Sequence, residues 1–185
     1  PEDTAGLARV LRSEKPAAFV LEPVQGEGGI RMLSAAFLRA ARELCTETGT
    51  LLVHDEIQSG CGRTGRFLAA QHAGVVPDVV TLAKPIAAGL PMGACLASQA
   101  YAETFQKGEH GSTFAGGPLV CRAALVFLDE VERGLLGEVQ ERGAQLRAGL
   151  EQLQRDFPIV REVRGLGLML GLRLHHSADL VQKAL

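Results

Sequence analysis

The strongest constraint on the fold is a rhythm of short apolar runs. Ala17–Leu21, Thr50–Val53 and Val79–Leu82 are each four or five residues long. Each runs up to a charged group: Glu22, Asp55 and Lys84. Runs this brief, bounded by turn and charged residues, read as buried strands rather than helices. Helical patterns lie around and between them. Leu7, Val10 and Leu11 fall at helical spacing, with a stop expected at Lys15-Pro16. After the glycine-rich QGEGG loop, Ser34 is a suitable N-cap. Phe37, Ala41, Leu44 and Cys45 then share one face, and Gly49 is a fitting stop. Arg66–His72 is expected to be a short helix. Strand, helix, strand, helix, strand is the pattern of a parallel sheet in an α/β fold. Gly93–Ala97 is expected to add a further strand.

The second half has a different character. Pro118–Arg133 and Leu135–Asp156 carry two long helical patterns. In the second, Val139, Leu146, Leu150 and Leu153 form an apolar stripe expected to pack as core. Ile159–Val163, a turn at Arg164-Gly165, and Leu166–Leu174 read as a strand pair. The expected division is a large α/β unit over 1–133, a connecting helix over 134–156, and the start of a smaller α+β domain over 157–185. The chain begins at Pro1 without methionine and stops within a helical pattern, Ala178–Leu185. It is therefore expected to be a fragment of a longer enzyme.

Composition narrows the function classes. Lys plus Arg number 19 against 21 acids, too balanced for an electrostatic nucleic-acid binder. No stretch approaches the roughly 20 apolar residues of a membrane helix, and no secretory signal is visible. Cys45, Cys61, Cys95 and Cys121 lie far apart with no CxxC pair. They read as reduced thiols of a cytoplasmic protein rather than a disulfide frame or zinc site. The 22 glycines cluster in short runs between apolar segments, which suggests tight loops around a ligand.

Ligands of open parallel sheets bind outside the carboxyl ends of the strands. Asp55 and Lys84 stand at two such ends, 29 residues apart, the length of one βαβ unit. On neighbouring strands they would be separated by about 4.8 Å across the sheet. A carboxylate and an amine so placed suit pyridoxal 5'-phosphate. Its aldehyde carbon needs a lysine, and its ring nitrogen needs a carboxylate to keep it protonated. On pattern alone, a surface ion pair remains the alternative.

The surrounding segments add a resemblance. EPVQGEGG (Glu22–Gly29), DEIQSGCGRTG (Asp55–Gly65), TLAKPIAAGLPMGA (Thr81–Ala94) and HGSTFAGGPL (His110–Leu119) occur in this order. They closely resemble the signatures of class III aminotransferases, nearest the acetylornithine and ornithine branch. The resemblance implies the large domain of a fold-type I pyridoxal-phosphate enzyme over 1–133 and the beginning of its small domain. It implies that Lys84 bonds the cofactor and shuttles the proton, and that Asp55 pairs with the ring nitrogen. Glu56, Ile57 and Gln58 are implied as further cofactor contacts, Gln58 at the ring hydroxyl oxygen. Thr113 would reach the phosphate of the neighbouring subunit's cofactor, which implies a homodimer. Ser112, Glu27 and Glu22 are implied at the substrate side, with Glu27 pairing an arginine. For Glu22, a strand-end acid that bonds local backbone is an equal alternative.

The implied reaction moves the terminal amino group of N-acetylornithine, or a related ω-amino substrate, to 2-oxoglutarate. Ornithine, 4-aminobutyrate and diaminopelargonate transaminases are alternatives within the family, and a non-catalytic remnant is the alternative outside it. Two features depart from the family. Ala115 and Gly117 stand where glycine and asparagine are more usual. The upstream phosphate loop, the stacking aromatic and a carboxylate-binding arginine fall outside these residues. Were these 185 residues the whole molecule, cofactor binding would be weak. His54 is expected to be a packing residue and His110 a loop residue. The pair His175-His176 is expected to lie on the surface, with no metal site.

Overall fold

A computed structural model describes residues 2–101 and 103–175. The chain enters through α1 (Thr4–Glu14), where the Asp3 carboxylate accepts from the Gly6 N–H at 2.8 Å and caps the first turn. It leaves the helix at Lys15, as the Lys15-Pro16 stop predicts. The elements that follow are β1 (Ala18–Leu21), β2 (Val24–Gln25), β3 (Arg31–Met32), α2 (Ala35–Thr48), β4 (Leu51–Asp55), β5 (Val79–Leu82) and β6 (Ala94–Ala97). The Ser34 hydroxyl caps α2 by accepting from Phe37 N–H, and Gly49 closes it in the left-handed conformation at φ 71°.

The main sheet has the order β1-β4-β5-β6. β1 with β4 and β4 with β5 are parallel, whereas β6 returns antiparallel to β5. Register places Phe19, Leu52, His54, Val80 and Leu82 on one face. That face carries the core. Leu52 packs with Leu11 of α1 and with Leu38 and Cys45 of α2. Val80 and Leu82 pack with Cys61 and Ile86. The opposite face is more open, and this corrects the expectation of fully buried strands. Val20 on the edge strand β1 is 61% exposed, because among the described residues no helix covers its side of the sheet.

Four further expectations change. Arg66–His72 shortens to one 3₁₀ turn, Ala69–His72. Gly62 and Gly65, just before it, hold positive φ, and its leading amides are satisfied by a carboxylate rather than by a helical ladder. The two long helices, α3 (Pro118–Glu130) and α4 (Leu136–Asp156), are joined through a π-type segment, Val131–Leu135, that bends at Gly134. The α4 stripe is not core here. Leu146 and Leu153 are 45% and 41% exposed, and the buried residue is Gly143, pressed against the backbone of Gly167. Finally, β7 (Val160–Leu166) and β8 (Met169–Leu174) turn at Gly167-Leu168 rather than Arg164-Gly165. Gly165 lies inside β7, where the Met169 backbone passes too closely for any side chain. Ala178–Leu185, expected to be helical, and His176 lie outside the described residues.

Candidate active site

Asp55 ends β4 and pairs in register with Thr81 of β5, three residues before Lys84. The two expected chemical groups therefore stand at the carboxyl ends of adjacent parallel strands. The Asp55 carboxylate is held on one oxygen. Its Oδ1 accepts from Ile57 N–H at 3.0 Å and from the Thr81 hydroxyl at 3.2 Å. Among the described residues Oδ2 accepts nothing. A half-buried carboxylate with one tethered and one open oxygen can receive a ring N–H.

Lys84 is exposed and, among the described residues, makes no hydrogen bond or ion pair. Its backbone is left-handed at φ 52°, immediately before Pro85. A non-glycine residue at positive φ is uncommon, so the position is strained by about 1–3 kcal/mol. The 3₁₀ turn Lys84–Ala87 holds it, anchored by the buried Ile86 and Ala87.

The two side chains open on different recesses. Asp55 shares one with Phe19, Glu22 and Gln25. Lys84 shares a cavity of about 310 Å³ with Gln58, Ile30, Arg63 and Met169. The β2–β3 hairpin around QGEGG supplies Gln25 to the first and Ile30 to the second. Its tip lies against Gln58, because a Cβ on Gly26 would occupy the Gln58 amide. Gln58 Nε2 reaches Glu27 Oε1 at 3.5 Å. Glu22 turns inward on its own loop and accepts from Gly26 N–H at 3.1 Å. It is both a backbone-bonding acid and a wall of the Asp55 recess.

Glu56, expected among the cofactor contacts, is fully buried and faces the protein interior. Its carboxylate accepts from the Ser59 hydroxyl at 2.9 Å, from Ala69 N–H at 2.7 Å and from Ala70 N–H at 2.8 Å. No part of it is open to a ligand. Ser112 and Thr113 are exposed, and neither lines the Asp55 or Lys84 recess.

Sequence reasoning missed Thr81, whose partnership with Asp55 depends on register. It also missed Arg164, which donates to the Gly29 carbonyl at 3.1 Å and ties the strand pair to the glycine-rich loop.

His54, one residue before Asp55, lies on the opposite face in the core. Burial, reinforced by the Arg42 charge, pushes its pKa down to about 4. Cys61 is raised to about 11, mainly by burial and then by the Glu56 charge, so it is an inert thiol. Among the described residues no cluster of potential metal ligands occurs, and no helix is long and apolar enough to cross a membrane.

Comparisons with known proteins show the family and the fold. The family described as Aminotransferase class-III matches residues 5–185. Acetylornithine aminotransferase 1 of Bordetella pertussis is 54% identical over 165 residues, covering 89% of this chain and 42% of that protein. Acetylornithine aminotransferase of Methanocaldococcus jannaschii is 43% identical, covering 94% and 44%. The crystal structure of acetylornithine aminotransferase from Elizabethkingia anophelis superposes with a TM-score of 0.92 at 34% identity, covering 98% of this chain and 47% of that one. The ornithine aminotransferase from Toxoplasma gondii gives 0.89 at 37% identity, covering 97% and 43%. The chain spans less than half the length of these relatives. With its α/β fold, its strand-end Asp55 and Lys84, and a match over nearly its whole length, the chain belongs to the class III aminotransferase family.

Proposed function

We propose that this chain is the lysine-bearing part of a pyridoxal 5'-phosphate-dependent aminotransferase. Its reaction moves the terminal amino group of N-acetylornithine, or a related ω-amino substrate, to 2-oxoglutarate, giving a semialdehyde and glutamate. The observation that carries this reading is the placement of Asp55 and Lys84 at the carboxyl ends of neighbouring parallel strands. The names of the acetylornithine aminotransferase relatives support the donor.

When bound, the cofactor supplies an electron sink. Asp55 would accept the ring N–H through its open Oδ2, while Thr81 and Ile57 keep the carboxylate from rotating. Lys84 would hold the cofactor through its ε-amino nitrogen, then act as the base and acid that moves the proton at the substrate carbon. Gln58 would bond the ring hydroxyl oxygen. Glu27, at the hairpin tip, would meet an arginine and adapt the pocket to two different substrates. The exposed Thr113 would extend toward the cofactor phosphate of a second subunit in a homodimer, with Ser112 beside it at the substrate mouth. A cytoplasmic location accords with four free cysteines.

The test is chemical. Protein mixed with pyridoxal 5'-phosphate and reduced with borohydride should carry the label on the peptide containing Lys84, and Lys84→Ala should carry none. Label spread over surface lysines, or none at all, would overturn the reading. The solved ornithine aminotransferases favour ornithine as a second donor, at 37% identity against 54% for the acetylornithine relative. Relative turnover of the two donors decides between them.

A further inference from the structure

The fully buried Glu56 carboxylate sits one residue from Asp55, and the proposed reaction gives it no task. Burying a carboxylate is costly unless its oxygens are bonded. Glu56 meets that condition with three donors, drawn from two places. Ser59 belongs to its own turn. Ala69 and Ala70 lie 13 and 14 residues further along the chain, at the start of the 3₁₀ turn, and are themselves buried.

The main chain of Glu56 is engaged as well. Its N–H donates to the Thr81 carbonyl at 3.0 Å, and its carbonyl accepts from Gly60 N–H at 2.8 Å. Residues 56–60 thus form one closed turn, with Glu56 bonding its far end through both carbonyl and carboxylate. Gly60 permits that closure, since a Cβ there would press on the Glu56 carbonyl at 2.7 Å and on Leu82. Gln58 sits in the middle of this turn and points at Gly26 and Glu27.

We infer that Glu56 is a positioning residue. Its carboxylate clamps the turn of residues 56–60 to the buried start of the 3₁₀ turn, and so sets where Gln58 meets the cofactor ring. The inference rests on the aminotransferase reading for the identity of the ligand, but the clamp itself is a property of the unloaded protein. The clamp acts through Gln58, so its loss has no further effect on the cofactor once Gln58 is gone.

The test is a double-mutant cycle with two readouts. Glu56→Gln keeps the volume but sets an amide N–H₂ against donors. It should raise hydrogen exchange at the Ala69 and Ala70 amides about tenfold, with α1 and α2 unchanged. Pyridoxal 5'-phosphate should bind about tenfold more weakly, read from borohydride-trapped label on Lys84 against cofactor concentration. In a Gln58→Ala background, Glu56→Gln should add less than about twofold. A merely structural residue would impose its full loss in both backgrounds, and that result overturns the proposal, as does unchanged exchange at Ala69 and Ala70. Should Glu56→Gln fail to fold, Ser59→Ala removes one donor without unpairing a charge. The same cycle should then read about threefold. If the wild-type protein takes no label, the aminotransferase reading fails. The exchange pattern then still judges the clamp: a rise confined to residues 56–70 supports it, and an unchanged or global pattern rejects it.

Discussion

Thr81 stands directly across from Asp55 and gives its hydroxyl hydrogen to Asp55 Oδ1 at 3.2 Å. This bond orients the carboxylate so that Oδ2 remains for a ligand. Thr81→Val keeps the shape and removes the donor. Cofactor affinity should fall about fivefold, the equivalent of roughly 1 kcal/mol, with little change in stability. Titration of trapped label against cofactor concentration measures it, and an unchanged midpoint would remove Thr81 from the site.

Asp55→Asn should slow turnover far more than it weakens cofactor binding. The amide keeps the Thr81 contact but loses the charge that favours a protonated ring nitrogen, worth on the order of 100-fold or more in rate. Steady-state rates beside cofactor titration separate the two effects. Equal turnover in the two proteins would exclude Asp55 as the ring-nitrogen partner.

His54 is buried with both ring nitrogens unpaired among the described residues. Its folded pKa of about 4 lies below the ordinary 6.5, so the unfolded chain takes up the proton first. The stability that neutral His54 contributes is therefore full above pH 6.5, declines as the pH falls, and is exhausted below about pH 4. The whole loss is on the order of 3 kcal/mol. His54→Phe should flatten the decline, as read from urea unfolding across that range. An equally steep decline in the variant would assign it to other groups.

Gly143→Ala tests the packing of α4. Alanine is the better helix former by about 1 kcal/mol. Here, however, its Cβ would stand 2.5 Å from the Gly167 carbonyl oxygen, a backbone atom in a tight turn. Net destabilisation of about 1–3 kcal/mol is expected from this overpacking, measured by denaturant unfolding. A stabilised variant would show that α4 and the β7–β8 turn separate easily.

Much of this structure was legible locally. The strands at Ala18–Leu21, Leu51–Asp55 and Val79–Leu82, the Ser34 cap and the Gly49 stop all follow from hydrophobic period and from hydrogen bonds spanning a few residues. The ends of those strands located Asp55 and Lys84. The turn at Gly167 and the exposure of Leu146 and Leu153 were not legible. They depend on how closely α4 approaches the β7–β8 turn, which a glycine at 143 and another at 167 permit.

Asp55 and Glu56 show where the boundary falls. Two adjacent acids after an apolar run announce a polar strand end, and alternation along the strand sends them to opposite sides. Chain order carries that much, because it needs only the neighbouring residues. Which acid meets solvent and which becomes an internal clamp depends on distant donors. Thr81 arrives by strand pairing, and Ala69 and Ala70 arrive by folding back of the loop. A carboxylate's role is set by the hydrogens that reach it, and here three-dimensional folding delivers them.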